Sequence, residues 1–284
     1  MFITFVRDDS KKFLMGGSYK DSAAWGITRI EGIGTIENTI VTENMSIIDG
    51  AEIVSERIPV RYIDITANVK NRSLNALERK NALAFFNPKH EFVVNITRNG
   101  VTRWIKARIQ KFQCPEKNIS QNVEMDVALL CADPFFYSAD NYGKNIAAIT
   151  GRFAFPYISV VDEGFYVGVF NFAKQVQIDN TGDVETYATI RIEANDTVEN
   201  PKIMQNDTYI RLMDTLEDGD IVEIDLVNNT IKKNGTNCIG KVDRRSSFTS
   251  MVLNAGDNTV SFGADNGDTN MNVILYYNLR YLGA

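Results

Sequence analysis

The segment that most limits what this chain can fold into is residues 34–70, "GTIENTIVTENMSIIDGAEIVSERIPVRYIDITANVK". Its β-branched runs lie on either side of Asp49-Gly50 and predict two extended strands joined at a tight turn. The second run exceeds the ordinary strand length of about five or six residues. A hairpin that long overhangs its own domain and presents edges that another chain can pair with, which a closed ring of copies satisfies. Met45, Ile47, Ile48, Ile53 and Val54 sit near its tip. A solvated tip should be polar, so these five residues are the expected contact between copies. The competing arrangement folds the hairpin back over its own domain, because most consecutive strands pack locally.

Strand signals dominate elsewhere too. "FITFV" and "WGITRI" precede the long segment, and "EFVVNITRNGVTRWIKARIQKF" is a hairpin around Asn99-Gly100. One helix is expected, over "SLNALERKNALAFFNP", capped by Ser73, with Leu74, Leu77, Leu83 and Phe86 as its apolar stripe and Asn87-Pro88 as its stop. "NVEMDVALLCADPFF" closes this half at Asp133-Pro134, and a Gly- and aromatic-rich stretch from Tyr137 to Lys174 leads into a second series of short strands. The expected fold is mainly β. A barrel-like domain with one helix and a long hairpin occupies residues 1–138, and a β-sandwich occupies residues 139–284.

The acidic stretch "LEDGDIVEIDLVNNTIKKNGTN", residues 216–237, invites a metal reading. A calcium loop needs a central glycine and a closing bidentate Glu, but here Gly219 comes too early and no Glu closes the loop. Val222, Ile224 and Leu226 alternate with Glu223 and Asp225, as in a strand with one buried face. A two-residue turn at Asn228-Asn229 would set Leu226 opposite Ile231 and Asp225 opposite Lys232.

Chemistry has few anchors. His90 is the only histidine and lies beside the helix stop, where it reads as a turn residue. Cys114, Cys131 and Cys238 have neither zinc spacing nor an even count, which points to a reducing compartment. "GIGTIEN" and "LMGGSYKDS" lack the features of a phosphate loop. Trp25 and Trp104 are expected in core or interface packing, and Tyr276, Tyr277 and Tyr281 in a last strand packed on both sides. No catalytic residue, cofactor or metal is expected. The formal net charge of -6 argues against a dedicated nucleic-acid binder. No signal peptide and no apolar run of about eighteen residues is seen, so neither export nor a membrane span is expected.

The order of "AAWGITRIEGIGTIE", "DGAEIVSERIPVRYIDI", a helix ending "FFNP", "RNGVTRWIKARI" and "LLCADPFF" resembles the N-terminal region of phage distal tail proteins, the siphovirus tail-component family. "IDNTGDVETYATIRI", "GDIVEIDLVNNTIKKNG", "SSFTSMVLNAGDNTVSF" and "YYNLRYLGA" are similar to that family's C-terminal domain. Ala188 departs from the pattern, since relatives often carry Pro after the Tyr. The resemblance implies a homo-hexameric ring at the virion tail tip, made in the host bacterial cytoplasm, with a galectin-like C-terminal sandwich. It also implies a tail tube protein, a tape-measure protein and a tail-associated hub or fibre protein as neighbours, with DNA passing through the ring without specific binding. A carbohydrate-binding module recognising the host surface is the alternative from another class, and a peptidoglycan hydrolase ranks below it.

Overall fold

The computed structural model describes residues 1–17, 22–45, 49–115, 121–138, 142–147, 149–151, 168–170 and 175–284. It divides into two compact units, residues 1–139 with 280–284, and residues 140–279.

The first unit is built from β1 (Phe2–Arg7), β2 (Lys12–Gly16), β3 (Trp25–Glu31), β4 (Thr39–Asn44), β5 (Ala51–Arg57), β6 (Arg61–Val69), α1 (Asn75–Phe85), β7 (Glu91–Arg98), β8 (Val101–Gln113), β9 (Glu124–Cys131) and β10 (Phe136–Ser138). Seven of these strands follow one another as β8-β7-β1-β2-β3-β6-β9, and β9 pairs back onto β8, so the wall closes into a barrel. Closure is possible because β8 is 13 residues long. Its first part pairs with β7, and from Arg108 onward it pairs with β9. Irregular register at Ile109/Lys111 and at Ile27/Arg29 marks bulges that add the local bend a small barrel requires.

Alternation along the strands sends Ile3, Phe5, Ile63, Ile65, Val94, Ile105, Val127 and Leu129 inward, all essentially fully buried. Helix α1 joins this core, but of the expected stripe only Phe86 is buried. Leu74, Leu77 and Leu83 are exposed, and Ala82, Phe85 and Phe86 are the buried set. Their 3–4 spacing is as helical as that of the leucines, and the packing of the Phe rings decides between the two faces. Phe86 meets the rings of Phe5, Phe13, Phe85 and Phe112 at centroid separations of 5.2, 4.9, 5.1 and 5.0 Å. Ser73 does not cap α1, whose N-cap position is Leu74 with no side-chain hydrogen bond; Asn71 instead caps the 3₁₀ turn Arg72–Leu74 that leads into it, accepting from the Ser73 N–H at 3.1 Å. At the other end Arg7 donates to the carbonyls of Ala84 and Phe85, placing a cation at the helix C-terminus.

Two further expectations change in this unit. The long run after Gly50 is not one strand. Pro59 cannot donate to a ladder, and the chain breaks there into β5 and β6. The last residues, expected with the sandwich, lie on the first unit's sheet: strand Arg280–Tyr281 pairs with β10, Phe136 facing Tyr281.

The second unit continues as β11 (Tyr142–Ala147), β12 (Ile149–Gly151), β13 (Gly168–Phe170), β14 (Gln175–Asn180), β15 (Ala188–Ala194), β16 (Val198–Glu199), β17 (Lys202–Gln205), β18 (Thr208–Arg211), β19 (Thr215–Leu216), β20 (Ile221–Asp225), β21 (Thr230–Lys233), β22 (Thr236–Asn237), β23 (Gly256–Gly263) and β24 (Met271–Tyr277). A six-stranded sheet, β11-β24-β15-β20-β21-β22, and a four-stranded sheet, β14-β23-β17-β18, carry the core. Strict alternation on β15 and β24 gives the six-stranded sheet one buried face, as a sandwich layer requires. Most of the Gly- and aromatic-rich stretch after Tyr137 lies outside the described residues.

The acidic stretch is a hairpin with a different register from the expected one. Ile231 faces Ile224, Lys232 faces Glu223, and Asp225 faces Thr230. The turn takes four residues because the Asp225 carboxylate accepts from the N–H groups of Val227 and Asn228 at 2.9 and 3.0 Å. Asp220 is likewise committed: the Glu217 N–H, then Lys233 and Asn234, hold its carboxyl down at about 2.

The aromatic seat of α1 gives a direct test. Phe86→Ala is expected to lose about 3–5 kcal/mol of unfolding free energy in a denaturant titration. Leu77→Ala, at a position 55% exposed, is expected to stay within about 0.5 kcal/mol.

Candidate functional site: an exposed hairpin and its root

Strands β4 and β5 pair with each other and with no other strand among the described residues. Every residue of both is exposed. The hairpin therefore stands clear of the barrel wall instead of folding back over it. Of the residues expected at its tip, Met45 follows β4, and Ile53 and Val54 lie on β5, 59% and 58% exposed. Ile47 and Ile48 lie outside the described residues.

Register assigns the faces. Ile40 faces Glu56, Thr42 faces Ile53 and Asn44 faces Ala51 on one side, while Thr39 faces Arg57, Val41 faces Ser55 and Glu43 faces Glu52 on the other. A bulge between Val41 and Thr42 leaves Val54 as the extra residue. Ile40 and Val41, each half exposed, extend the apolar surface toward the root. They were missed as site residues, although the alternation in "NTIVTEN" carries them.

Two residues force the hairpin out of the wall. Gly32 ends β3 at φ 84, and a Cβ there would meet the Tyr62 carbonyl oxygen at 1.9 Å. Pro59 ends β5 before the chain re-enters the wall as β6. Two residues after Pro59, Arg61 is buried to 5% exposure. Its guanidinium donates to the carbonyls of Pro134, Gly32, Thr35 and Leu282 at 2.6, 2.6, 2.9 and 2.6 Å. It also stacks over the Phe136 ring at 5.0 Å. Burial pulls its pKa below the ordinary arginine value, and the rigid fork of five donors lets one side chain answer carbonyls from four directions. The Ala284 N–H completes the root by donating to the Ile33 carbonyl at 3.0 Å. Thr35, Ile36, Ile58, Val60 and Tyr62 line an open groove of about 150 Å³ beside it.

The other candidates are structural. His90 Nδ1 lies 2.6 Å from Asp8 and joins the β1–β2 turn to the start of β7. Trp25 is core, its Nε1 donating to Glu78 at 3.0 Å. Trp104 stacks on Tyr137 at 4.8 Å and donates to the Ser138 carbonyl. Tyr277 is buried, Tyr276 is partly exposed, and Tyr281 lies under the Arg103 guanidinium at 3.7 Å.

Comparison with known proteins gives matches to a family model and to solved structures. Residues 181–281 match the family model described as siphovirus-type tail component, C-terminal domain. The fold of the whole chain is similar to the crystal structure of the Dit protein of phage SPP1, described as a paradigm of hub adsorption apparatus in Gram-positive infecting phages. That match has a TM-score of 0.68 at 11% identity and covers 99% of each chain. A chain from the phage P2 baseplate in its activated conformation with Ca also matches, at TM-score 0.53 and 10% identity, over 100% of this chain and 99% of that one. No curated protein matches by sequence. The resemblance to siphovirus tail components drawn from the sequence motifs is thus borne out, by a family match over residues 181–281 and by fold over the whole length.

The root rests on one side chain, which makes it testable. Arg61→Ala orphans four carbonyls, each worth about 1 kcal/mol or more when buried, so a loss of at least about 3 kcal/mol is expected in urea denaturation. Arg61→Lys should recover only part, because a single ammonium cannot reach four acceptors. A loss under about 1 kcal/mol for the alanine variant would contradict this account of the root.

Proposed function

We propose that this chain is a structural protein of a bacteriophage tail tip, with no reaction of its own, in which six copies close into a ring that joins the tail tube to the hub and receptor-binding apparatus. The tape-measure protein and the tail-associated hub or fibre protein are its other neighbours in this reading, and DNA passes through the ring without being gripped. Its place is the distal end of the virion tail, after synthesis in the host cytoplasm. The ring is carried by residues 1–138 together with the returning strand Arg280–Tyr281, and the second unit is a galectin-like sandwich.

The observation that carries the proposal is the hairpin. A closed barrel has no edge left to offer, yet β4 and β5 stand outside it with Ile40, Val41, Met45, Ile53 and Val54 in solvent. Burying such side chains fully is worth about 1.5–3 kcal/mol each, and roughly half of that remains to be gained here. The contact residues in this reading are Met45, Ile47, Ile48, Ile53 and Val54, with Ile40 and Val41 beside them.

The test uses the full chain, since a fragment ending at 138 would remove strand Arg280–Tyr281 and the Leu282 carbonyl that Arg61 engages. The intact protein is expected to scatter light as a hexamer. Replacing Met45 to Val54 with a short Gly-Gly turn is expected to leave a folded monomer with an unchanged far-ultraviolet circular dichroism spectrum. A ring that survives the deletion would refute the placement of the contact.

A further inference from the structure

The hairpin carries an electrostatic conflict that no described residue of its own chain resolves. Glu43 and Glu52 face each other directly across β4 and β5, both exposed. Like charges in that position destabilise a strand pair. Neither carboxylate has a cationic partner among the described residues. Arg57, on the same face, is two cross-strand pairs and a bulge away toward the root.

The barrel wall carries the complementary charge. Val6 pairs with Lys12 on one side and Val93 on the other, and Val93 pairs with Lys106. Their neighbours Phe5, Val94 and Ile105 point into the core, so the row Lys12-Val6-Val93-Lys106 points outward across β2, β1, β7 and β8. Both lysines are exposed and form no ion pair among the described residues. The carboxylates along that rim are already answered: Asp8 by His90, Asp9 by Arg7 and Lys11, and Glu91 by Arg108. Two unanswered ammonium groups thus flank a valine floor.

We propose that this row is the seat of the neighbouring copy's hairpin, with Glu43 and Glu52 of one copy lying between Lys12 and Lys106 of the next. The inference rests on the ring reading and names its receiving surface. Three strand spacings separate the lysine backbones by about 14 Å, and a paired hairpin is about 5 Å wide, which leaves each lysine within a side-chain length of a carboxylate. Val41, on the same hairpin face as the two glutamates, meets the floor of Val6 and Val93. Placement around the barrel fits a ring as well. The hairpin leaves between β3 and β6, whereas the row is centred on β1 and β7, on the far side of a seven-strand wall. Donor and receiver on opposite sides make a head-to-tail contact, the kind that closes into a ring and not into a two-fold dimer.

The experiment is a charge exchange in the full-length protein, read by mass photometry across a concentration series, with circular dichroism melting to establish that each variant is folded. Glu43→Lys with Glu52→Lys is expected to raise the concentration needed for assembly by about tenfold or more, and Lys12→Glu with Lys106→Glu to do the same. Combining all four substitutions is expected to restore assembly to within about threefold of the original protein. Folded variants that assemble like the original would overturn the inference. So would loss of assembly in both pairs without rescue in the combination, which would hand the acidic pair to a different protein. If the unaltered protein stays monomeric at every concentration, the ring reading itself fails, a result distinct from either of these.

Discussion

Closure of the barrel at β8 is the constraint from which the rest of the first unit follows. One strand of 13 residues bonds to β7 along its first part and to β9 along its second. With that ladder in place the wall has seven members and no vacancy. β4 and β5 are then left to pair only with each other. Gly32 and Pro59 sharpen the exit, the first by a backbone conformation and close approach that admit no side chain, the second by ending the β5 ladder. The exposure of the hairpin is thus a consequence of how the wall closes.

The same strand brings the chain's last residues home. β8 also carries β10 at Arg103 and Trp104, and β10 carries Arg280–Tyr281, so residues 140–279 form an insertion between two adjacent strands of the first unit. The returning segment is held by its backbone. Leu282 and Gly283 accept from Arg61 and Arg103, and Ala284 donates to Ile33. Among the described residues Arg61 has no carboxylate partner and relies on carbonyl dipoles and a ring face, which satisfy a buried guanidinium at lower desolvation cost than a second buried charge. It therefore couples the hairpin root, the Pro134 turn and the C-terminal segment in a single cluster.

Local signals in the sequence were enough for the strand-rich architecture, the Asn99-Gly100 hairpin, the single helix and the emergence of the long hairpin with Met45, Ile53 and Val54 on it. Features decided by long-range packing were not legible. Helical periodicity fits both the exposed leucines and the buried Phe85 and Phe86, and only the rings they meet across the barrel select one set. The register of the acidic hairpin turned on the Asp225 side chain capping its own turn, a choice that the Asn228-Asn229 pair obscured. Arg61 carries no local signal, because its four acceptors lie 26, 29, 73 and 221 positions away. The Glu43–Glu52 opposition depends on a one-residue bulge, and no alternation pattern announces it.

An exposed hairpin with apolar residues on both faces is an aggregation hazard in a protein that stays alone and an assembly element in one that does not. Hydrogen exchange of the full-length protein, followed by mass spectrometry at concentrations below and above the onset of association, separates these most directly. The account predicts that amides of β4 and β5 exchange rapidly in the dilute protein and gain strong protection on assembly, while the barrel core changes little. Equal exchange of the hairpin in the dilute and assembled states would contradict it.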